Sequence, residues 1–384
     1  MSQFTDNTYW IAIAHLPRWG TERINRLIID VVHEKQMTWD AFFTLNKDEW
    51  QKIFPFTDKE LTDLENVKTD IPRLAFIAEQ LQNEGFEVIP INDTAYPTLL
   101  KENLKIRSCP PVIYIKGRKS LLQEKAVAIV GSRKAGKAAL EFTDAVAKKC
   151  VADQKVIVSG FAKGVDLQAL DSTLAVNGKS IIVLPQGIIT FQSGFKKYYQ
   201  PIVSGNVLVV STFFPKAAWE VGLAMARNVY IYGLAEEIYV AESDNKGGTW
   251  EGAMNGIKRQ RKIYVRIPEQ LEKNANLELI RLGAVPVDAY GAVMDINSAT
   301  TIQAASLVAE STEPYHTINR DIEKEILGLL KTGSFTVKEI TETVKPDWDN
   351  RKLSGFLKKN PNIKTVSGKP VRYTIQDVIV TSLF

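Results

Sequence analysis

The chain has 384 residues, a net charge of +4 and an apolar fraction of 45%. That length allows two or three domains, and the composition suits a globular chain with a sizeable core rather than a disordered or fibrous one. Two cysteines, Cys109 and Cys150, give neither a disulfide framework nor metal-ligand spacing, so a reducing cytoplasm is expected; the first apolar run is unlike a signal peptide, and none is long enough to span a membrane.

Residues 1–70 read as a small helical domain, SAM- or helix-hairpin-helix-like. TYWIAIAHL and GTERINRLIIDVVHE carry apolar residues at helical spacing, and TWDAFFTL and TDKELTDLENV add two more helices. The turn LPRWGTERI has Arg18 and Trp19 where a DNA-touching hairpin turn would have a glycine and a small apolar residue. A structural hairpin is therefore the first expectation for it, and direct DNA contact the second.

The next segment, from residue 72, opens with a helix that stops at Gly85, followed by a strand at EVIPIND and another at VIYIK. Pro110-Pro111 breaks the chain before that second strand. From 126 to about 290, apolar strands alternate with helices. The strands are AVAIV, KVIVS, SIIVL, VLVVS, EIYVAE and KIYVRIP, with helical segments near 136–150, 166–177, 217–227 and 247–258. Buried strands separated by helices predict an α/β, Rossmann-like parallel sheet covered on both faces. Residues 72–290 are thus one extended Rossmann-like domain, and residues 295–319 read as a polar linker.

Residues 320–384 form a last domain. Three helices precede a hairpin with a Ser367-Gly368 turn, which is the winged-helix order. Between Arg320 and Gln376 there are twelve Lys or Arg against seven Asp or Glu, so the basic excess of the chain sits here. Arg351, Lys352, Lys358, Lys359, Lys364, Lys369 and Arg372 fit contact with a nucleic-acid backbone; a protein-binding role is the alternative.

The first Rossmann turn, Gly131-Ser132-Arg133, follows a buried strand and precedes a helix. That order presents backbone N–H groups and a helix N-terminus to an anion. Gly131 to Lys137 begins like a Walker A loop, but Ala138 stands where a magnesium-binding hydroxyl is needed. The dinucleotide fingerprint fails on glycine spacing. No cofactor and no metal are expected. Further glycine turns follow the second strand, with Gly160, Lys163, Gly164 and Asp166, and lie at 244–252 with Lys246. Strand-end turns of one parallel sheet gather on one edge. Arg133, Lys134, Lys163, Arg227 and Lys246 are therefore expected to form a positive, glycine-lined rim suited to a long polyanion. Asp166 is expected to cap the next helix. Asp166, Asp171 and Glu242 leave open a paired-carboxylate hydrolysis, and none of the three histidines lies near the rim in sequence.

EGFEVIPINDTAYPTLL, PPVIYIKG, AVAIVGSRKA, VIVSGFAKGVDLQALDSTLAVNGKSIIVLPQGI, ARNVYIYGLAEEIYVAE, GGTWEGA and LIRLGAVPVD together resemble the DprA/Smf DNA-processing family. The resemblance implies a cytoplasmic protein, dimeric through its Rossmann-like domain, that binds single-stranded DNA in a basic pocket. It implies protection of incoming DNA and delivery to the RecA recombinase in transformation, with no enzymatic turnover. It implies phosphate contacts from Arg133 and Lys163, close backbone approach at Gly131, Ser132, Gly160 and Gly164, and a place for Arg227 in an arginine motif. Departures cluster around that pocket: Ile189–Ser193 replaces an aspartate and a Tyr-Pro, Leu170 a histidine, and Ser211-Thr212 a Ser-Glu pair. The competing expectation, from the wider superfamily, is a nucleotide-binding sensor or a phosphoribohydrolase-like enzyme acting in phage defence.

Overall fold

The computed structural model describes residues 3–270, 272–294, 318–344, 350–360, 363–366 and 371–375. The chain divides between residues 304 and 305 into two compact units. Among the described residues, no helix is long and apolar enough to cross a membrane.

Five α-helices open the first unit: α1 (Gln3–Ala14), α2 (Thr21–Ile28), which runs on as a π-helical stretch over Ile29–Glu34, α3 (Trp39–Thr44), α4 (Lys47–Ile53) and α5 (Asp58–Asn83). Capping boxes start two of them, Asn46 with Glu49 on α4 and Thr57 with Glu60 on α5. The break expected near 70–72 does not occur. Pro72 lies inside α5, and the helix runs through it for 26 residues. The turn at Arg18 and Trp19 is tied inward: Arg18 pairs with Asp63 of α5, and Trp19 Nε1 donates to Asp63 Oδ2 at 3.3 Å. Arg23 lies 4.6 Å above the Trp19 ring and pairs with Glu60. Those contacts make the turn a brace between helices.

The sheet follows, with β1 (Glu87–Pro90), α6 (Thr98–Ser108), β2 (Val112–Gly117), β3 (Ala126–Val130), α7 (Lys137–Ala152), β4 (Val156–Ser159), α8 (Val165–Ala175) and β5 (Ser180–Val183). Two short helices, α9 (Gln192–Lys197) and α10 (Tyr199–Val203), lead into β6 (Val207–Ser211). Then come α11 (Val221–Gly233), β7 (Glu237–Val240), α12 (Gly248–Lys258), β8 (Lys262–Arg266), α13 (Asn276–Arg281) and β9 (Val285–Val287). The order in the nine-stranded sheet is β1-β2-β6-β5-β4-β3-β7-β8-β9. The six expected strands are parallel to one another, while β1 and β2 add an antiparallel edge.

Alternation along each strand divides the core. Val127 and Ile129 face α7 and α8, whereas Ala128 and Val130 join the core beneath α6, α11 and α12. Toward the β2 edge, Tyr114, Val207, Val209 and Ile182 share one hydrophobic core with Trp10, Phe42, Trp50 and Leu64 of the first helices. The amino-terminal helices are therefore packed onto the sheet. Each large side chain so buried contributes about 1.5–3 kcal/mol. Cys109 and Cys150 are free and buried.

His15 sits at that junction, its Nε2 2.9 Å from the Tyr114 hydroxyl and its ring stacked on Tyr114. Burial lowers its pKa to about 4, from 6.5. The unfolded chain thus takes up a proton as pH falls below about 6.5, and the folded one not until about 4. Stability is complete above that window and declines through it, by about 2 kcal/mol once partial exposure is allowed for. Urea unfolding of His15→Gln at pH 7 and pH 4.5 should show a smaller acid-induced loss than the parent shows.

The second unit has α14 (Ile318–Thr332), α15 (Val337–Val344), α16 (Asn350–Lys359) and a hairpin of β10 (Ile363–Val366) and β11 (Arg372–Ile375). Ile326, Leu330, Ile340, Leu353, Leu357 and Tyr373 form its core. Phe335 bridges Tyr373 through two backbone hydrogen bonds of 2.8 and 2.9 Å, adding a third extended segment. The Ser367-Gly368 turn and most of the 295–319 stretch lie outside the described residues.

Candidate functional site

From β3 the chain steps through β4 and β5 to β6 in one direction, then returns to place β7 and β8 on the other side of β3. The loops after β3 and β7 diverge at that switch and leave a crevice at the carboxyl ends of the strands. A cleft of ≈ 630 Å³ lies there. Its walls are Gly131–Lys134 after β3, Glu242–Thr249 after β7 with gaps, and Val221, Met225 and Asn228 of α11. Asp166 and Arg227 also line it.

The loops are locked together by their backbones. Ser132 N–H donates to Glu242 O at 2.9 Å, and Val165 N–H to Ser132 O at 3.4 Å. Gly164 has φ +80°, and a Cβ there would lie 2.3 Å from Ser132 O. A Cβ on Gly131 would lie 2.5 Å from Val165 Cγ2. These glycines let one loop approach another.

Gly160 serves a different neighbour. A Cβ at that position would lie 1.1 Å from Nη1 of Arg227. The space holds the guanidinium, which is 3% exposed, donates from Nη1 to Val183 O at 3.2 Å and stands 3.7 Å from Asp166 Oδ2. Arg227 Nε has no hydrogen-bond partner among the described residues. Burial lifts the Asp166 carboxyl above the usual range, with the Arg227 charge opposing it. Burial also pulls the Arg227 guanidinium down, with Asp166 opposing.

Arg133, Lys134, Lys246 and Lys273 are the exposed cations of the cleft. The wall also contains the start of α12, which has no side-chain cap, so the N–H groups of its first turn and its positive end add to the field. Besides Asp166, which pairs with Arg227, two carboxylates oppose them. Glu242 accepts from Gly136 N–H at 3.1 Å, and Asp244 is exposed.

The expected rim therefore needs correction. Gly131, Ser132, Arg133, Lys134, Arg227 and Lys246 come together in one cleft. Gly160, Lys163 and Gly164 do not line it; Lys163 is exposed elsewhere on its loop. Arg227 is a buried, paired arginine in the floor of the cleft and not a rim cation, because Asp166 and the Val183 carbonyl hold it there. Asp166 is the second residue of α8 and accepts from Ala162 N–H at 3.4 Å, closing the preceding loop, while Gly164 takes the cap position. Asp171 accepts from Tyr198 instead of lining the cleft. Lys137 begins α7 and pairs with Glu141.

Lys273 was missed. It follows β8 in a polar stretch without glycines, but extending the strand-end rule to that strand would have found it. The departures at Leu170, Ile189 and Phe191 are buried in the core, with Phe161, Phe191, Phe195 and Tyr198 in edge-to-face contact. An aromatic cluster thus occupies this part of the core. In the second unit, Arg372 pairs with Glu339 at 3.0 Å and donates to Ser334 O. Its guanidinium is thereby engaged within the unit, while Lys358 and Lys364 are exposed. The side chains of Arg351, Lys352 and Lys359, and the whole of Lys369, lie outside the described residues. Among the described residues, no His, Cys, Asp and Glu cluster is placed to hold a metal.

Residues 87–297 match the family described as DNA recombination-mediator protein A. Protein Smf of Synechocystis sp. is 27% identical over 293 residues, covering 73% of this chain and 70% of that protein. The DNA processing protein DprA of Streptococcus pneumoniae is 30% identical over 190 residues, covering 50% of this chain and 65% of that protein. The solved structure of the Streptococcus pneumoniae DNA processing protein A superposes with a TM-score of 0.55 at 22% identity, over 82% of this chain and 100% of that one. That likeness shows a shared α/β fold with a mostly parallel sheet and flanking helices.

Proposed function

Because the chain belongs to the DNA recombination-mediator protein A family, which matches more than half its length, we propose that the cleft between the β3 and β7 loops binds single-stranded DNA. The observation that carries this is the convergence of Arg133, Lys134, Lys246 and Lys273 with an uncapped helix N-terminus at the topological switch. Backbone amides and fixed cations hold phosphates irrespective of base sequence. The finer steps belong to the same proposal. They are protection of incoming DNA, delivery to the RecA recombinase in transformation, and action as a cytoplasmic homodimer through the sheet domain. The carboxyl-terminal unit, with three helices and a hairpin, acts as a winged helix that assists DNA or partner binding.

The cleft works without turnover in this proposal. Its two innermost carboxylates are engaged, Asp166 with Arg227 and Ala162 N–H, and Glu242 with Gly136 N–H. A nucleotide-cleaving alternative would release free base from nucleoside monophosphates, and none is expected.

Four exposed cations, each releasing about 0.7 of a counterion from a single strand, give a slope of about −2.8 in log affinity against log salt. Anisotropy titrations of a labelled single-stranded oligonucleotide should therefore lose about 50-fold in affinity between 50 and 200 mM salt. Absent binding, or binding indifferent to salt, would overturn the proposal.

A further inference from the structure

The approach to α11 carries an apolar surface that the cleft's cations do not account for. Trp219 is 49% exposed, Val221 68% and Met225 38%. Ala218, Gly222 and Ala226 between them are exposed as well. Trp10, Trp39 and Trp50 are buried in the core, but the Trp219 indole has no ring or hydrogen-bond partner among the described residues.

The surface has a definite shape. Glu220 is extended, with φ −139° and ψ 152°, so Trp219 and Val221 project to the same side of the chain. Val221 and Met225 are four apart on α11 and share one helix face. Gly222 and Ala226 lie beside them and keep that face low. The result is a shallow ledge of small residues with an indole at one end. Val221 and Met225 also line the phosphate-binding cleft, so the ledge is continuous with it.

Exposed apolar surface of this kind marks a contact site. Its position selects the occupant. A single strand whose phosphates lie on Arg133, Lys134, Lys246 and Lys273 must direct its bases to one side, and the α11 wall is the apolar side available. Every base has a π-face, so stacking on an indole suits a strand of any sequence. Resting on the cleft assignment above, we propose that the Trp219–Met225 ledge is the base-stacking platform of the bound strand, with Trp219 as the stacking side chain and Met225 as its floor.

The test compares two probes on three proteins: an oligo-dT strand and an abasic strand of equal length, with the parent, Trp219→Ala and Trp219→Phe. Trp219→Ala should weaken oligo-dT binding by about tenfold or more. Trp219→Phe should restore most of it, and neither change should alter abasic-strand binding. Circular dichroism and thermal melting would establish that both variants fold like the parent.

Three results with the variant overturn the platform. In one, Trp219→Ala binds oligo-dT as tightly as the parent. In another, it loses abasic and dT strands equally. In the third, it changes the oligomeric state in light scattering, which would make the ledge a contact between copies. If the parent binds both probes alike and with the expected salt dependence, the cleft assignment survives and the platform falls. If the parent binds neither probe, both fall.

Discussion

Arg133→Ala is expected to weaken single-strand binding by about tenfold or more at low salt, and to reduce the salt slope from about −2.8 to about −2.1, since one of four phosphate-facing cations is lost. Arg133 is exposed in the cleft, on the turn that Ser132 and Gly164 hold in place. Its removal should therefore leave stability within about 0.5 kcal/mol of the parent. Arg133→Glu should be worse than alanine, because a fourth acid would join Asp166, Glu242 and Asp244. Lys163→Ala makes the control. Lys163 does not line the cleft, so the change should move affinity much less. Equal losses from Lys163→Ala and Arg133→Ala would mean that the strand runs along the β4 loop and not the switch point.

Gly160→Ala should destabilise the protein by about 2–4 kcal/mol, although it adds a single methyl group. The backbone there is not left-handed, so conformational strain is not the cause. The new carbon would stand 1.1 Å from Nη1 and 2.1 Å from Cζ of Arg227. The guanidinium must leave, giving up the Val183 carbonyl and stranding a buried Asp166. A double-mutant cycle isolates that mechanism. Arg227→Ala should itself cost several kcal/mol, on the order of the 3–5 typical for breaking a buried pair. Adding Gly160→Ala to it should then cost less than about 1 kcal/mol, because the obstructing group is gone. Additive losses in urea denaturation would show that Gly160 is needed for something other than making room for the arginine.

The parallel strands were legible because each is a continuous apolar run bounded by turn residues. AVAIV shows the pattern in full: both faces are buried, and all five residues are apolar. β9 escaped notice because it is three residues long and contains Pro286, which an edge strand tolerates. α6 was hidden for another reason. Lys105 within it has φ 54° and ψ −174°, so the helical rhythm breaks before Pro110. α5 ran through Pro72, against the usual prior, because its flanks are anchored by a capping box at one end and buried leucines at the other.

At the site, the glycine turns announced that loops would crowd together, but not what would fill the crowding. Gly160 reads in sequence as room for a phosphate, whereas its neighbour in space is Arg227, far along the chain on α11. The same blindness applied to Arg227, whose charge suggested the rim until Asp166 was found beside it. Trp219 and Val221 carried no motif at all; only their exposure beside the cleft made them visible.

The core shared between the first helices and the sheet has a consequence for how the chain is made. Tyr114, Val207 and Val209 close over Trp10, Phe42 and Leu64, so the helical segment leaves the ribosome well before the strand that covers it. At about 5–20 residues per second, that interval lasts on the order of ten seconds. During it, greasy helix faces are bare, and a nascent chain stalled before β6 would be a natural client for chaperones.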